Sequence, residues 1–143
     1  MAKTRCIING KQKIPHWWGF LFVVRWVDLI MSDKQTTISQ LKSLIDSFVD
    51  ERDWKQFHSP KNLSMSLSIE SAELMELFQW LSLEEAKEVM KAGETRENAI
   101  DEIADIIIYA IAFCNRNNID ISSAIKQKMK KNIKKYPADK FKG

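Results

Sequence analysis

The sequence of 143 residues has few of the residues that interrupt helices. It contains four glycines and three prolines, whereas Lys, Glu, Ile, Leu and Met are abundant. No segment alternates apolar and polar residues as a half-buried strand does, and no internal repeat or low-complexity tract is present. A hydrophobic fraction of 45% at this length is enough for the core of one domain. We therefore predict a single all-α domain.

Cysteine and histidine are also scarce. Cys6 and Cys114 share no motif and indicate no disulfide framework, which favours a reducing, cytoplasmic location. The only histidines are His16 and His58, and neither has a second ligand at helical spacing. This scarcity disfavours zinc sites and the Glu-x-x-His sites of di-iron helix bundles.

The N-terminal segment, residues 1–31, has a different charge balance from the rest of the chain. It carries five basic residues against Asp28 alone, whereas residues 32–143 carry 17 basic and 18 acidic residues. The net charge of +3 therefore comes from this segment, and we predict no nucleic-acid binding by the main domain.

The same segment contains an apolar run, residues 17–24, which Arg25 and Asp28 then interrupt. The run is too short to span a bilayer, and we predict no membrane partner. Three interpretations remain open: an extension that packs on the domain or on a partner, a leader that is non-native or wrongly assigned ahead of a true start at Met31, or a weak membrane anchor. We therefore divide the chain into an N-terminal extension, residues 1–31, and a main domain, residues 32–143.

Capping motifs and apolar spacing predict the helices of the main domain. Thr37-x-x-Gln40 and Ser82-x-x-Glu85 are capping boxes. Asn62 is the candidate cap of the second long helix, and Asp120 or Ser122 that of the last one. The second long helix is apolar almost all round, so we expect it to be buried on most sides. The predicted helices are four main ones and one short one, over residues 38 to about 54, 62–81, 83 to about 91, about 96–115, and about 121–135.

Two pairs of acidic residues lie within the apolar helices. Glu70 and Glu73 share one helix face, as do Glu102 and Asp105, because each pair is three residues apart. Such pairs on solvated faces are common and carry no function by themselves. On helices expected to be buried, however, two like-charged pairs would need a cation to compensate them. Oxygen ligands suit Mg²⁺, with Mn²⁺ as a possible substitute, and such a site points to chemistry on a polyphosphate.

Other side chains recur at helical spacing from these acids. Tyr109 lies one turn beyond Asp105, and Lys128 and Asn132 lie one turn apart on the last helix. Lys128 offers a cation for phosphate and Asn132 an amide. Each of these candidates also has an explanation without function. The lysines of the last helix fit a solvated face, Trp54 and Trp80 fit a core, and His58 is a lone histidine in a loop.

With these residues in place, the sequence resembles the MazG-like all-α nucleoside triphosphate pyrophosphohydrolases, most closely their dCTP pyrophosphatase branch. The resemblance covers roughly residues 38–138. It is carried by Glu70-x-x-Glu73 and Glu102-x-x-Asp105, by the stretch from Glu51 to Trp80 with its DW…FH…PKNL pattern, and by the closing KMxxN…KYP pattern.

The resemblance implies Mg²⁺-dependent hydrolysis of an NTP or dNTP to the monophosphate and pyrophosphate, with the metal on the four carboxylates. It implies that Trp54, His58, Trp80 and Tyr109 surround the nucleotide, and that Lys128 and Asn132 contact it. It also implies a four-helix MazG fold in a homodimer or homotetramer whose sites are completed by a second subunit. Ile45 departs from the pattern, because some relatives carry a polar nucleotide contact there.

The function that follows is a dCTP-preferring pyrophosphohydrolase that acts in nucleotide-pool house-cleaning. Two alternatives stay open at the level of sequence. One is a broad-range or dUTP-directed helical NTP pyrophosphatase, and the other is a non-catalytic helical interaction module.

Overall fold

The computed structural model describes residues 31–141, which form helices joined by short connections without any strand. This confirms the all-α prediction. The predictions for the N-terminal extension fall on residues that lie outside the described part, apart from Met31. The elements are α1 (Ile38–Glu51), a 3₁₀ turn (Trp54–Phe57), α2 (Pro60–Glu76), α3 (Leu83–Val89), α4 (Glu94–Arg116) and α5 (Ile121–Lys135).

The predicted capping boxes are both present. The Thr37 hydroxyl accepts from the Gln40 amide at 3.2 Å, and the Thr37 amide donates to the Gln40 side chain at 2.7 Å. Ser82 and Glu85 make the same reciprocal pair at the start of α3. Asp120, rather than Ser122, caps α5 by accepting from the Ser123 amide at 2.7 Å. These local hydrogen bonds satisfy amides that a helix start would leave unpaired.

The second long helix begins and ends earlier than predicted. Ser59 is its N-cap, with the hydroxyl accepting from the Asn62 amide at 3.1 Å, and Pro60 occupies the first helical position. Proline is well suited there because its missing N–H would have no helical partner. The Asn62 side chain instead donates to the carbonyl of Phe57 at 2.8 Å. The helix ends at Glu76, and four turn residues follow it.

The other boundary differences lie at turns. Helix α1 ends at Glu51, because Asp53 adopts the left-handed conformation (φ 55°) and starts the 3₁₀ turn. Helix α4 begins at Glu94, two residues earlier than predicted, with Gly93 as its N-cap at φ 101°. A positive φ of this kind is easily reached only without a side chain.

The core lies where α1 and α2 pack on α4. Its buried members come from all three helices: Ile45, Val49, Leu63, Ile111 and Ala112. Two hydrogen bonds tie the start of α1 to the end of α4 and the segment after it. The Lys42 ammonium donates to the carbonyl of Ile119 at 3.0 Å, and the Asn115 amide donates to the carbonyl of Lys42 at 2.9 Å.

Within residues 31–141 the second helix is covered on one side only, so the predicted burial on most sides would need cover from outside this part of the chain. Leu63 is its only buried residue, because α4 and α1 cover one side and nothing among residues 31–141 covers the other. Helix α5 has no buried residue and makes few contacts with the other helices. Apolar side chains thus stay exposed on three helices: Met65, Ile69, Met75, Ile100, Ile103, Ile107, Ile125, Met129 and Ile133.

Candidate metal and nucleotide site

Three of the four predicted acidic residues converge across the contact between α2 and α4. Glu70, Glu102 and Asp105 can each offer a carboxylate oxygen such that all three oxygens lie within 4.8 Å of one another. The two helices run antiparallel, since the Arg116 side chain near the end of α4 donates to the carbonyl of His58 just before α2, at 3.3 Å. This pairing of opposite helix directions brings residue 70 beside residues 102 and 105.

Glu73 does not belong to this set of three residues, but its charge acts on two of them. Its charge raises the pKa of Glu70 and of Glu102. Glu73 is exposed, whereas Glu70 and Glu102 are half-buried. The structure therefore brings three predicted ligands together and leaves the fourth near enough for its charge to act on them.

The three carboxylates are held together against mutual repulsion. Partial burial is the main cause that raises the pKa of Glu70 above its ordinary value, and the charges of Glu73, Asp105 and Glu102 raise it further. Partial burial also raises the pKa of Glu102, followed by the charges of Glu73, Asp105 and Asp101, although a hydrogen bond to Glu70 acts in the opposite direction. Among residues 31–141 no lysine or arginine forms an ion pair with these acids. Such a set of oxygen donors, charged and unpaired, fits a hard divalent cation.

The aromatic residues predicted to meet the nucleotide lie at different depths. Trp54 sits on the 3₁₀ turn and is 45% exposed, and Trp80, in the connection after α2, is 87% exposed. Neither is a core residue of the single chain. Tyr109 is half-buried and packs against the core between α1 and α4. The two tryptophans are thus available to a ligand, whereas the Tyr109 ring is shared with the core.

His58 occupies the short link between the 3₁₀ turn and α2. Its Nδ1 atom is buried and has no hydrogen-bond partner among the described residues. Burial lowers the pKa of His58, and the positive charge of Arg116 lowers it further. The imidazole is therefore held neutral, and one of its nitrogens is left with unused hydrogen-bonding capacity.

Lys128 and Asn132 lie on α5, away from the main helix packing. Lys128 is exposed and Asn132 half-buried, and their helix makes few contacts with α2 or α4. Helix packing within the single chain does not hold these two side chains against the carboxylates. Their contact with a nucleotide stays a prediction, as does that of the aromatic residues and His58.

Sequence reasoning missed the contacts that shape the turn carrying Trp54. The Lys55 ammonium bridges two carboxylates of α1, at 2.6 Å from Asp50 and 3.3 Å from Asp46. The hydrogen bond to Asp50 is the main cause that raises the pKa of Lys55. The two acids are four residues apart on one helix face, and this spacing could be recognised in the sequence. Their pairing with Lys55 could not, because the lysine follows a left-handed turn.

No helix between residues 31 and 141 is both long and apolar enough to cross a membrane.

Comparison with known proteins identifies similar chains. The model of the MazG-like family matches residues 65–143, which include all four predicted carboxylates. The chain is 37% identical over 111 residues to dCTP pyrophosphatase 1 of Rattus norvegicus, covering 76% of this chain and 64% of that protein. It is 37% identical over 106 residues to dCTP pyrophosphatase 1 of Homo sapiens, covering 73% of this chain and 61% of that one. The chain thus spans less than two thirds of the length of these curated relatives.

A solved structure is also similar. The crystal structure of a pyrophosphatase from Archaeoglobus fulgidus superimposes with a TM-score of 0.67 at 39% sequence identity, and the match covers 75% of this chain and 98% of that one. The helical arrangement described above is therefore shared with a pyrophosphatase over nearly its whole length.

Proposed function

This chain belongs to the MazG-like family, and from that premise we propose that it hydrolyses nucleoside triphosphates to the monophosphate and pyrophosphate, with dCTP preferred. The observation that carries the proposal is the convergence of Glu70, Glu102 and Asp105 across α2 and α4. A cluster of oxygen donors without a basic partner is what a metal-assisted reaction on a polyphosphate requires.

We infer that Mg²⁺, or Mn²⁺ in its place, would be held by Glu70, Glu102 and Asp105, with Glu73 joining them. When bound, the metal supplies positive charge that stabilises the phosphate oxygens in the transition state. The carboxylates themselves position the ion and can orient a water molecule toward the α-phosphorus. Proton removal from that water falls to one of these carboxylates.

The nucleotide would be bound by the residues that the family pattern assigns. The exposed rings of Trp54 and Trp80 can stack on a base, because aromatic side chains offer a flat apolar face. His58, whose pKa is lowered, can offer a neutral imidazole for a polar contact. Lys128 can neutralise phosphate charge, and the amide of Asn132 can bond to phosphate or sugar.

The position of Lys128 and Asn132 supports an assembly in which each site is completed by a second subunit. Helix α5 makes few contacts with the rest of residues 31–141 and exposes Ile125, Met129 and Ile133 along one stripe. Helices α2 and α4 also expose large apolar side chains. Contiguous apolar surface of this kind marks an interaction site, and we propose a homodimer or homotetramer of this chain.

The choice of dCTP rests on the relatives, which are dCTP pyrophosphatases. The aromatic residues favour base stacking in general. Ile45 is buried in the core, whereas some relatives carry a polar nucleotide contact at this position. A broad-range or dUTP-directed pyrophosphatase is the alternative. We further infer a house-cleaning role in the nucleotide pool and a cytoplasmic location.

A panel of NTPs and dNTPs, including cytosine-modified ones, incubated with millimolar Mg²⁺ and assayed for pyrophosphate, tests this function. We expect a monophosphate and pyrophosphate from each substrate that is cleaved, with dCTP giving the highest kcat/KM. Another nucleotide exceeding dCTP by about tenfold, or about 1.4 kcal/mol in transition-state binding, would refute the dCTP preference.

The alternative from another class is a helical interaction module without catalysis, which the exposed apolar faces would equally serve. A module whose acids only promote solubility has no reason to be stabilised by Mg²⁺. Absence of turnover with every nucleotide, together with a Tm that does not respond to Mg²⁺, would favour the module and overturn the proposed enzyme.

A further inference from the structure

The Trp54 ring is presented to solvent by a turn rather than by a regular helix. It follows Asp53, the left-handed residue after α1, and it is 45% exposed. An exposed side chain on a surface turn exchanges between rotamers on the picosecond to nanosecond timescale unless its neighbours restrain it. A ring that stacks on a base binds best when it is already held in the bound orientation.

Phe48 restrains this ring from the last turn of α1. The centroids of the Phe48 and Trp54 rings are 5.8 Å apart, and the ring planes meet at 78°. This is the favourable edge-to-face arrangement, in which the positive edge of one ring meets the negative face of the other. It fixes the tilt of the Trp54 ring and leaves part of the ring exposed.

Phe48 is itself held by Arg52. The central guanidinium carbon of Arg52 lies 3.6 Å from the centroid of the Phe48 ring, and its Nη1 atom donates to the carbonyl of Phe48 at 3.0 Å. The ring and the backbone of Phe48 are therefore both held by one cationic side chain.

The backbone of the turn is tied to the same helix. Lys55, the residue after Trp54, reaches back to Asp50 at 2.6 Å and to Asp46 at 3.3 Å. The Gln56 side chain donates to the carbonyl of Asp53 at 3.0 Å. With the backbone fixed in this way, the remaining freedom of Trp54 is rotation of its side chain, which is what the contact with Phe48 limits.

We infer that Phe48, held by Arg52, is a positioning residue that keeps the Trp54 ring in the orientation that stacks on the nucleotide base. This inference rests on the proposed function, in which Trp54 meets the base. Phe48 acts through Trp54, with which its ring pairs, and Arg52 lies over the same ring, which stays 40% exposed.

The test compares Phe48→Leu and Phe48→Tyr in the full-length protein. In Phe48→Leu, a freely rotating Trp54 is in the binding-competent orientation for only a fraction of the time, so KM for the preferred nucleotide should rise about fivefold. The chemical step does not involve this ring, and kcat should change by less than about twofold. Phe48→Tyr keeps the aromatic contact and should restore KM.

Phe57→Leu is the matched control. Phe57 lies on the same turn and is 58% exposed, and its replacement by leucine also removes a phenyl ring. Among the described residues Trp54 pairs with Phe48 and not with Phe57. Its KM should stay within about twofold of the wild type. An equal rise in Phe57→Leu would assign the effect to the turn as a whole and overturn the role of Phe48.

A double-mutant comparison ties the effect to Trp54. Phe48→Leu should raise KM in the wild-type background but leave it unchanged in a Trp54→Ala background, because the residue through which it acts is gone. Equal effects in both backgrounds would overturn the inference. The near-ultraviolet circular dichroism band that Trp54→Ala removes should also weaken in Phe48→Leu and persist in Phe48→Tyr.

The two proposals fail in different ways. A wild-type protein that hydrolyses no nucleoside triphosphate refutes the proposed function and the inference together. An active wild type whose KM and circular dichroism are unchanged in Phe48→Leu refutes only the positioning role of Phe48.

Discussion

A carboxylate oxygen of Glu70 on α2 lies within 4.8 Å of one of Glu102 on α4, although the two residues are separated in sequence by a complete helix and two connections. Both side chains are half-buried, and burial together with neighbouring carboxylate charges raises the pKa of each. Like charges at this distance repel each other in the metal-free protein, and a divalent cation bound among them would relieve that repulsion. The first predictions below follow from this pair.

Asp105→Asn should abolish turnover and leave the fold intact. Replacing a carboxylate ligand by an amide removes part of the charge that would hold the cation, and we expect kcat to fall by at least about 100-fold. In the absence of divalent cations the variant should unfold at the same temperature as the wild type or a higher one, since one repelling charge is gone. Pyrophosphate release and thermal unfolding measure the two effects.

The matched control for Asp105→Asn is Glu97→Gln. It makes the same carboxylate-to-amide change on the same helix, at an exposed position outside the cluster. Its turnover should match that of the wild type. Normal turnover in Asp105→Asn would remove the metal cluster as the basis of the activity.

Mg²⁺ should stabilise the wild-type protein. A cation that binds only the folded state raises stability with its concentration, by about 2.7 kcal/mol at a hundred times its Kd. The Tm should therefore rise with millimolar Mg²⁺ in the wild type, rise less in Asp105→Asn, and respond fully in Glu97→Gln. A rise of equal size in all three proteins would mean that Mg²⁺ binds elsewhere.

His58 should make the protein sensitive to mild acid. Burial and the charge of Arg116 lower the pKa of His58 below 6.5, so the unfolded chain binds the proton more tightly than the folded one. This histidine has no effect on stability well above that pH, and it destabilises the folded state as the pH falls below 6.5.

The measurement is the urea midpoint of unfolding at about pH 7.5 and pH 5.5. His58→Gln should lose less stability than the wild type between these two values. Arg116→Gln, which removes the nearby charge, should show an intermediate loss. A wild type and a His58→Gln variant with the same pH dependence would contradict the assignment.

The exposed stripe of α5 should carry part of the assembly. Ile133 is 66% exposed in the single chain, and we expect a second copy to cover it. Ile133→Lys places a charge at this position. Burying an unpaired charge is costly, so the molar mass in solution should fall and activity should fall with it. Light scattering after gel filtration measures the mass.

Gln127→Lys adds the same charge to another exposed position of α5, outside the stripe of Ile125, Met129 and Ile133. It should leave the mass unchanged. A wild-type chain that is monomeric at micromolar concentration would refute the assembly, and an unaltered mass in Ile133→Lys would exclude this stripe from its interface.

Deletion of residues 1–30 should leave activity largely intact. All four acidic residues and the proposed nucleotide contacts lie in the main domain, and the family match begins at residue 65. The truncated chain, starting at Met31, should have a kcat/KM within about twofold of the full-length protein. A folded truncation without activity would show that the extension takes part in the site.

The sequence by itself determined the helices and the pairing of the acids. Helix starts depend on hydrogen bonds between residues three positions apart, so Thr37 with Gln40 and Ser82 with Glu85 could be identified without the fold. The same holds for the face that Glu102 shares with Asp105, because a helix repeats every 3.6 residues. The cap at Ser59 was missed because Asn62 also suits that role, and only the position of Pro60 in the first turn decides between them.

Only the tertiary structure decided which of these residues meet. The antiparallel packing of α2 on α4 brings Glu70 to Glu102 and leaves Glu73 outside the set of three oxygens. The left-handed turn after α1 returns Trp54 to Phe48, a contact that no periodic pattern encodes. Helical spacing is a local property of the backbone, whereas burial and contact depend on which surfaces face each other. The apolar second helix could therefore be recognised from sequence, but only the fold revealed that residues 31–141 cover a single side of it.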